Sequence, residues 1–227
     1  MECAYCGAPI VGTYQIDPYG QAVHVAHAKR CFCCGRFVKG GTPQMADGRF
    51  QCEDCRKKEV VKDEHIEWVD KRVRQMLARH GIADISENVS FELVVPKVVP
   101  GRAPTVSHKM GQTVTMTTGW QMKHKVRMLN HLHRIVFAGV LAHELLHVWQ
   151  NEHHISLSSE LTEGFCNLGS WVVYEMIGTE VARAMMEQLQ KDPTPVYGDG
   201  FRRVKALYDQ QGAGSLAATM NILKRMK

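Results

Sequence analysis

The chain has 227 residues, of which 44% are hydrophobic and 22% are charged, and its net charge is +5 at pH 7. This composition excludes a disordered protein, and the length suits one large domain or two small ones. The sequence has no apolar run of about 18 residues and does not begin with basic residues followed by an apolar segment. We therefore expect neither a membrane span nor a secretory signal, and a cytoplasmic location.

Four short pairs of cysteine or histidine dominate residues 1–58. Two residues separate the members of each pair, and the pairs are Cys3/Cys6, His24/His27, Cys31/Cys34 and Cys52/Cys55. Eight ligands in four pairs suit two closed tetrahedral zinc sites. Gly7 and Gly35 each follow the second cysteine of a pair, where a zinc knuckle needs glycine. Because this segment has few aliphatic residues, we expect zinc to hold it together.

Cys33 is one cysteine more than this pattern requires. It could replace Cys31 or Cys34 as a ligand. A disulfide or free-thiol cluster is the alternative to zinc binding, but the expected reducing compartment disfavours it.

The rest of the chain predicts a connecting helix and a second domain. Residues 57–80 lack proline and glycine and carry apolar residues at helical spacing, with Gly81 as a C-cap. We assign 59–81 to this helix and 82–227 to the second domain. The β-branched segments 89–95 and 113–118 predict strands, and 96–112 predicts a loop between them. Further helices are predicted over 131–151, 159–178, 179–191, 200–211 and 215–226. The fold class is α+β: a small metal-held module, then a mainly helical domain with a small β-sheet.

The sequence His143-Glu144-Leu145-Leu146-His147 is an HExxH motif within the first helix of that domain. Residues four apart lie on one face of a helix, so both imidazoles can bind one zinc ion. Glu144 is turned by roughly 100° from His143. It is therefore free to act as the general base for a zinc-activated water.

Glu163, in the segment 160–165, is the candidate third ligand. Peptidases with two histidines and one glutamate leave a fourth zinc position open. The alternative is a carboxylate that stabilises the amino-terminal end of its helix. The adjacent Gly164 would let backbone or substrate approach closely. Cys166 is predicted to be a small buried apolar residue.

A donor for the oxyanion is also required. Tyr197 is the candidate, and Tyr174 and His153 are the alternatives. The remaining histidines are predicted to be exposed: His108, His124, His131, His133 and His154.

Residues 137–149, 161–166 and 195–202 resemble the peptidase domain of the DA-one-like LIM-domain peptidases. That family places a LIM-type zinc module directly before a gluzincin-like peptidase domain, which is the order found here. The resemblance implies that the first two pairs form a Cys₂His₂ site and the last two a Cys₄ site. It also implies that His143, His147 and Glu163 bind a catalytic zinc beside Glu144, and that proteins are the substrates. LIM modules usually have cysteine where His27 stands.

We therefore predict a zinc-dependent peptidase with one catalytic and two structural zinc ions. Its LIM-like module would support the peptidase or contact a protein partner. One alternative is a catalytically silent zinc adaptor, although metal binding alone does not need Glu144. Another is a peptidase for nucleic-acid-associated proteins, but no patch of basic and aromatic residues supports nucleic-acid binding.

Overall fold

The computed structural model describes residues 1–96, 109–210 and 214–226. Its first part contains little regular structure. β1 (Tyr14–Ile16) and β2 (Ala22–His24) pair in antiparallel, and α1 (Glu53–Lys57) begins inside the last cysteine pair. Gly7 and Gly35 have φ angles of 74° and 78°. These two knuckle glycines therefore adopt the left-handed conformation that other residues avoid.

The predicted connecting helix is α2 (Asp63–Arg79), which begins later than residue 57. It starts late because the preceding residues pair with the segment before α3 (Arg134–Glu152): the Val60 N–H donates to the Leu132 carbonyl over 2.9 Å. At the other end, Gly81 has a φ of 88° and the Ile82 N–H donates back to the Leu77 carbonyl. This is the helix ending predicted for a glycine C-cap.

Three strands form the sheet of the larger part: β3 (Val89–Val94), β4 (Gly111–Thr118) and β5 (Gln121–Leu129). The order is β3-β5-β4, with β5 parallel to β3 and antiparallel to β4. Two strands were predicted, but the central strand β5 was missed, since its buried residues alternate with lysines and arginine. The predicted loop 96–112 lies mostly outside the described residues, and its last two positions belong to β4.

The remaining helices agree with the predicted segments: α4 (Ser159–Ile177), α5 (Glu180–Lys191), α6 (Gly200–Gln210) and α7 (Leu216–Arg225). Ser158 and Thr179 cap α4 and α5 through their hydroxyl groups, and Gly178 ends α4 with a φ of 65°. A π-helical turn, Pro195–Asp199, precedes α6.

Helices α3 and α4 pack closely at two glycines. A Cβ on Gly139 would lie 2.0 Å from the Tyr174 ring, and a Cβ on Gly169 would lie 2.3 Å from Leu146 Cδ1. Neither position has space for a side chain. The two helices that carry the HExxH motif and Glu163 are therefore held in direct contact.

The second half of the amino-terminal module is part of the main core. Cys31, Cys34, Cys52 and Cys55 are buried in the same hydrophobic cluster as residues of α2, α3 and α4. Cys3, Val23 and Phe37 form a small separate cluster. None of the helices in the described ranges has both the length and the apolar content needed to cross a bilayer.

Candidate metal centres and cleft

The structure brings together the three residues predicted to bind the catalytic zinc. The Nε2 atoms of His143 and His147 lie 3.1 Å apart. Glu163 Oε2 lies 3.1 Å from the first of these nitrogens and 3.5 Å from the second. Ligand atoms about 2.0–2.1 Å from a tetrahedral zinc lie about 3.4 Å from one another. The three atoms therefore have the spacing of a metal-binding triad.

The chemistry of this group also fits a cation. Glu163 Oε2 is buried and makes no well-aligned hydrogen bond among the described residues. Burial raises the pKa of Glu163, but interactions with the protonated rings of His143 and His147 outweigh burial and hold the pKa well below its usual range. A bound metal ion would take the place of these protons between the buried carboxylate oxygen and the two imidazole nitrogens.

Both imidazoles are oriented by residues of α4. His143 Nδ1 lies 2.9 Å from Asn167 Oδ1, so this nitrogen donates and its Nε2 carries the free lone pair. His147 Nδ1 lies 3.5 Å from Cys166 Sγ. Asn167 was not predicted from the sequence, although its position four residues after Glu163 puts both residues on one helix face. Cys166 is buried as predicted, but it is also a partner of His147.

Cys166 is the alternative third ligand, because its sulfur lies within 4.8 Å of ligand atoms of His143 and His147. However, this sulfur contacts Nδ1 of His147, whereas Glu163 lies beside the Nε2 atoms of both rings. The geometry therefore favours Glu163.

Glu144 is buried next to the triad, under β4. The Thr113 hydroxyl donates to Glu144 Oε2 over 2.7 Å. A Cβ on Gly111 would lie 2.5 Å from Glu144 Oε1, so only glycine leaves room for this carboxylate. The first residues of β4 thereby hold the candidate general base in one orientation.

The triad and Glu144 line a cleft of about 580 Å³. One stripe of α3 lines it: Val136, Val140, His143, His147 and Asn151. The stripe is apolar before the histidines and polar after them. Helix α5 adds Met185 and Leu189, which enlarge the apolar part of the lining.

Tyr197 also lines this cleft, and 40% of its surface is exposed. Burial and the nearby carboxylates of Glu163 and Glu144 raise its pKa, so its hydroxyl keeps its proton and can donate. Tyr174 is buried and donates to the Val136 carbonyl. His153 contacts Asp84 and a backbone carbonyl through its two ring nitrogens and is not among the described residues that line the cleft. These contacts favour Tyr197 as the donor to the oxyanion.

The amino-terminal pairs form two groups, as the resemblance implied. Each group has its ligand atoms within 4.8 Å of one another, and the groups are Cys3, Cys6, His24 and His27, and Cys31, Cys34, Cys52 and Cys55. Cysteine and histidine at this spacing could bind zinc. Cys33 does not belong to either group: its sulfur accepts a hydrogen bond from the His133 N–H over 2.9 Å. The structure therefore favours Cys31 and Cys34 as the ligands.

Two of the other histidines are buried, so the prediction that they are exposed was wrong. The His124 ring lies 2.9 Å from Thr115 Oγ1 and 2.8 Å from Glu152 Oε1. His133 accepts a hydrogen bond from the Ile135 N–H and caps α3. Their burial depends on partners from other elements, which local sequence does not reveal. His108 lies outside the described residues.

Comparisons with models of protein families, with curated proteins and with solved structures find no match to this chain. The resemblance to LIM-domain peptidases therefore rests on the sequence segments that carry it. Membership of that family stays a prediction. The function proposed below is based on the geometry of the candidate metal centres and the cleft.

Proposed function

We propose that this protein is a zinc-dependent peptidase, with His143, His147 and Glu163 as metal ligands and Glu144 as the general base. The observation that carries the proposal is the convergence of three ligand atoms within 3.5 Å at a cleft. Three protein ligands leave a tetrahedral metal with one open position. Glu144 lines the same cleft, where substrate and water have access.

Zinc supplies a Lewis acid that polarises a carbonyl group and makes water more acidic. The chain's own residues then move the protons. Glu144, oriented by Thr113, accepts the proton of the attacking water and delivers it to the leaving amine. Tyr197 donates a hydrogen bond to the oxyanion of the tetrahedral intermediate.

The lining of the cleft indicates the kind of peptide that is cleaved. Val136, Val140, Met185 and Leu189 supply apolar surface to the cleft that the triad lines. A large apolar side chain next to the cleaved bond would bury this surface and gain about 1.5–3 kcal/mol. We expect the enzyme to prefer such peptides, and the amino-terminal module to contact a protein partner.

A catalytically silent adaptor explains the site less well. Burial of an ionisable carboxylate such as Glu144 costs free energy. Metal binding by the three ligands does not require that residue. Its burial against Thr113 and next to the triad is explained by a role in proton transfer.

Substitution of Glu144 by glutamine tests this function. Metal content and cleavage of a broad peptide library are measured on the purified wild type and on Glu144→Gln, with exposed Glu187→Gln as the matched control. We expect three zinc ions per chain in all proteins, with cleavage by the wild type and the control only. Equal cleavage by Glu144→Gln would remove this carboxylate from the mechanism.

A further inference from the structure

The second zinc knuckle, residues 31–36, contacts the helix that forms one wall of the cleft. Arg36 Nη2 lies 3.0 Å from the Oε2 atom of Glu180, the first residue of α5. A Cβ on Gly35 would lie 3.1 Å from Gln188 Nε2, so the knuckle backbone is close to this side chain. Gln188 lines the cleft together with Met185 and Leu189 of the same helix.

Arg36 is held in place by the knuckle itself. The Cys31 N–H donates to the Arg36 carbonyl over 2.8 Å, and the Gly35 N–H donates to the Cys31 carbonyl over 3.0 Å. The Arg36 guanidinium also stacks 4.0 Å above the centre of the Tyr19 ring. The position of Arg36 is thus tied to Cys31, a ligand of the Cys₄ group.

We propose that the knuckle 31–36 positions α5, and thereby sets the wall of the cleft against which substrate binds. Its effect on substrate rests on the proposed peptidase function, but its effect on α5 does not. Arg36 and Glu180 act as positioning residues, since neither lines the cleft among the described residues. A metal ion in the Cys₄ group would stabilise the knuckle and so contribute to substrate affinity.

Hydrogen exchange of the α5 amides tests the proposal without any cleavage. The zinc-loaded full-length chain is compared with Arg36→Ala, Glu180→Ala and the double variant. Loss of one partly exposed ion pair should speed exchange in α5 by about two- to five-fold. Because both substitutions remove the same contact, the α5 amides of the double variant should exchange no faster than those of Glu180→Ala, which also removes a first-turn carboxylate from the helix. Arg36→Ala could also disturb the knuckle, because it removes the contact with Tyr19. Glu180→Ala therefore tests the same ion pair from the α5 side.

Lys191→Ala is the matched control, because it removes an exposed ion pair with Glu187 inside α5 that does not involve the module. The α5 amides of Lys191→Ala should exchange more slowly than those of Arg36→Ala. Unchanged α5 exchange in Arg36→Ala and Glu180→Ala, equal acceleration by Lys191→Ala, or additive effects in the double variant would each overturn the proposal.

Cleavage kinetics supply the second readout. For a peptide with a large apolar residue, KM should rise by about two- to five-fold in Arg36→Ala while kcat is unchanged. Arg36→Lys, which retains the charge, should restore most of the affinity. A fall in kcat with constant KM would contradict a role in substrate affinity. If the wild type cleaves no peptide, the proposed function fails, and the exchange experiment still decides whether the knuckle positions α5.

Discussion

Replacement of Asn167 by alanine should weaken zinc binding at the triad by about 10- to 100-fold. Asn167 Oδ1 lies 2.9 Å from His143 Nδ1 and determines which ring nitrogen carries the proton. Without this acceptor the imidazole loses both its orientation and its preferred tautomer. The expected loss corresponds to about 1.4–2.7 kcal/mol of binding free energy.

Asn167→Asp separates two roles of this side chain. A carboxylate still accepts from His143, and its charge strengthens the hydrogen bond, so zinc affinity should equal or exceed that of the wild type. However, a carboxylate cannot replace the amide that donates to the Tyr197 carbonyl over 3.1 Å. We therefore expect Asn167→Asp to keep the metal and to lose activity through a less ordered turn at 195–199.

The assay is competition for zinc with a chromophoric chelator, followed by the amount of metal released. Ser170→Ala is the matched control, because Ser170 also makes a buried hydrogen bond from α4 to α3, to the Gly139 carbonyl, but does not contact the histidines. If Asn167→Ala and Ser170→Ala release zinc at the same chelator concentration as the wild type, the assigned orientation of His143 is wrong.

Thr113→Val removes the hydroxyl that orients Glu144 and should lower kcat by about 5- to 10-fold, a loss of about 1–1.5 kcal/mol, with unchanged zinc content. Gly139→Ala forces a methyl group into the Tyr174 ring and should destabilise the protein by about 1–3 kcal/mol, measured by thermal unfolding. Burial lowers the pKa of His133 from its ordinary value of 6.5 to about 4. The contribution of neutral His133 to the free energy of unfolding is therefore complete above pH 6.5. As the pH falls from 6.5 towards 4, about 3 kcal/mol of this contribution is lost. His133→Asn keeps a capping oxygen without this titration, and should show a smaller fall in unfolding free energy over the same range.

Unaltered kcat in Thr113→Val would show that the hydroxyl does not orient Glu144. A wild-type melting temperature for Gly139→Ala would show that α3 and α4 pack less closely than described. Parallel pH profiles for the wild type and His133→Asn would assign acid destabilisation to other groups, such as the cysteine clusters.

Local patterns in the sequence determined several features of this protein. The spacing of His143 and His147 places both rings on one helix face, because an α-helix repeats every 3.6 residues. The predicted helix 159–178 agrees with α4 to within a residue. Cysteine pairs separated by two residues indicated metal knuckles. All these features depend on backbone geometry over a few residues, which does not require knowledge of the fold.

Other features depended on how the elements pack. Glu163 was a candidate ligand by type, but only the contact of α3 with α4 brings it within 3.5 Å of both imidazoles. Asn167 becomes a partner of His143 through the same contact. Cys33 was equivalent to Cys31 and Cys34 in sequence, and the direction of its sulfur towards the His133 N–H decided its role. Contacts between distant segments follow from close packing of the whole core, so local periodicity could not predict them.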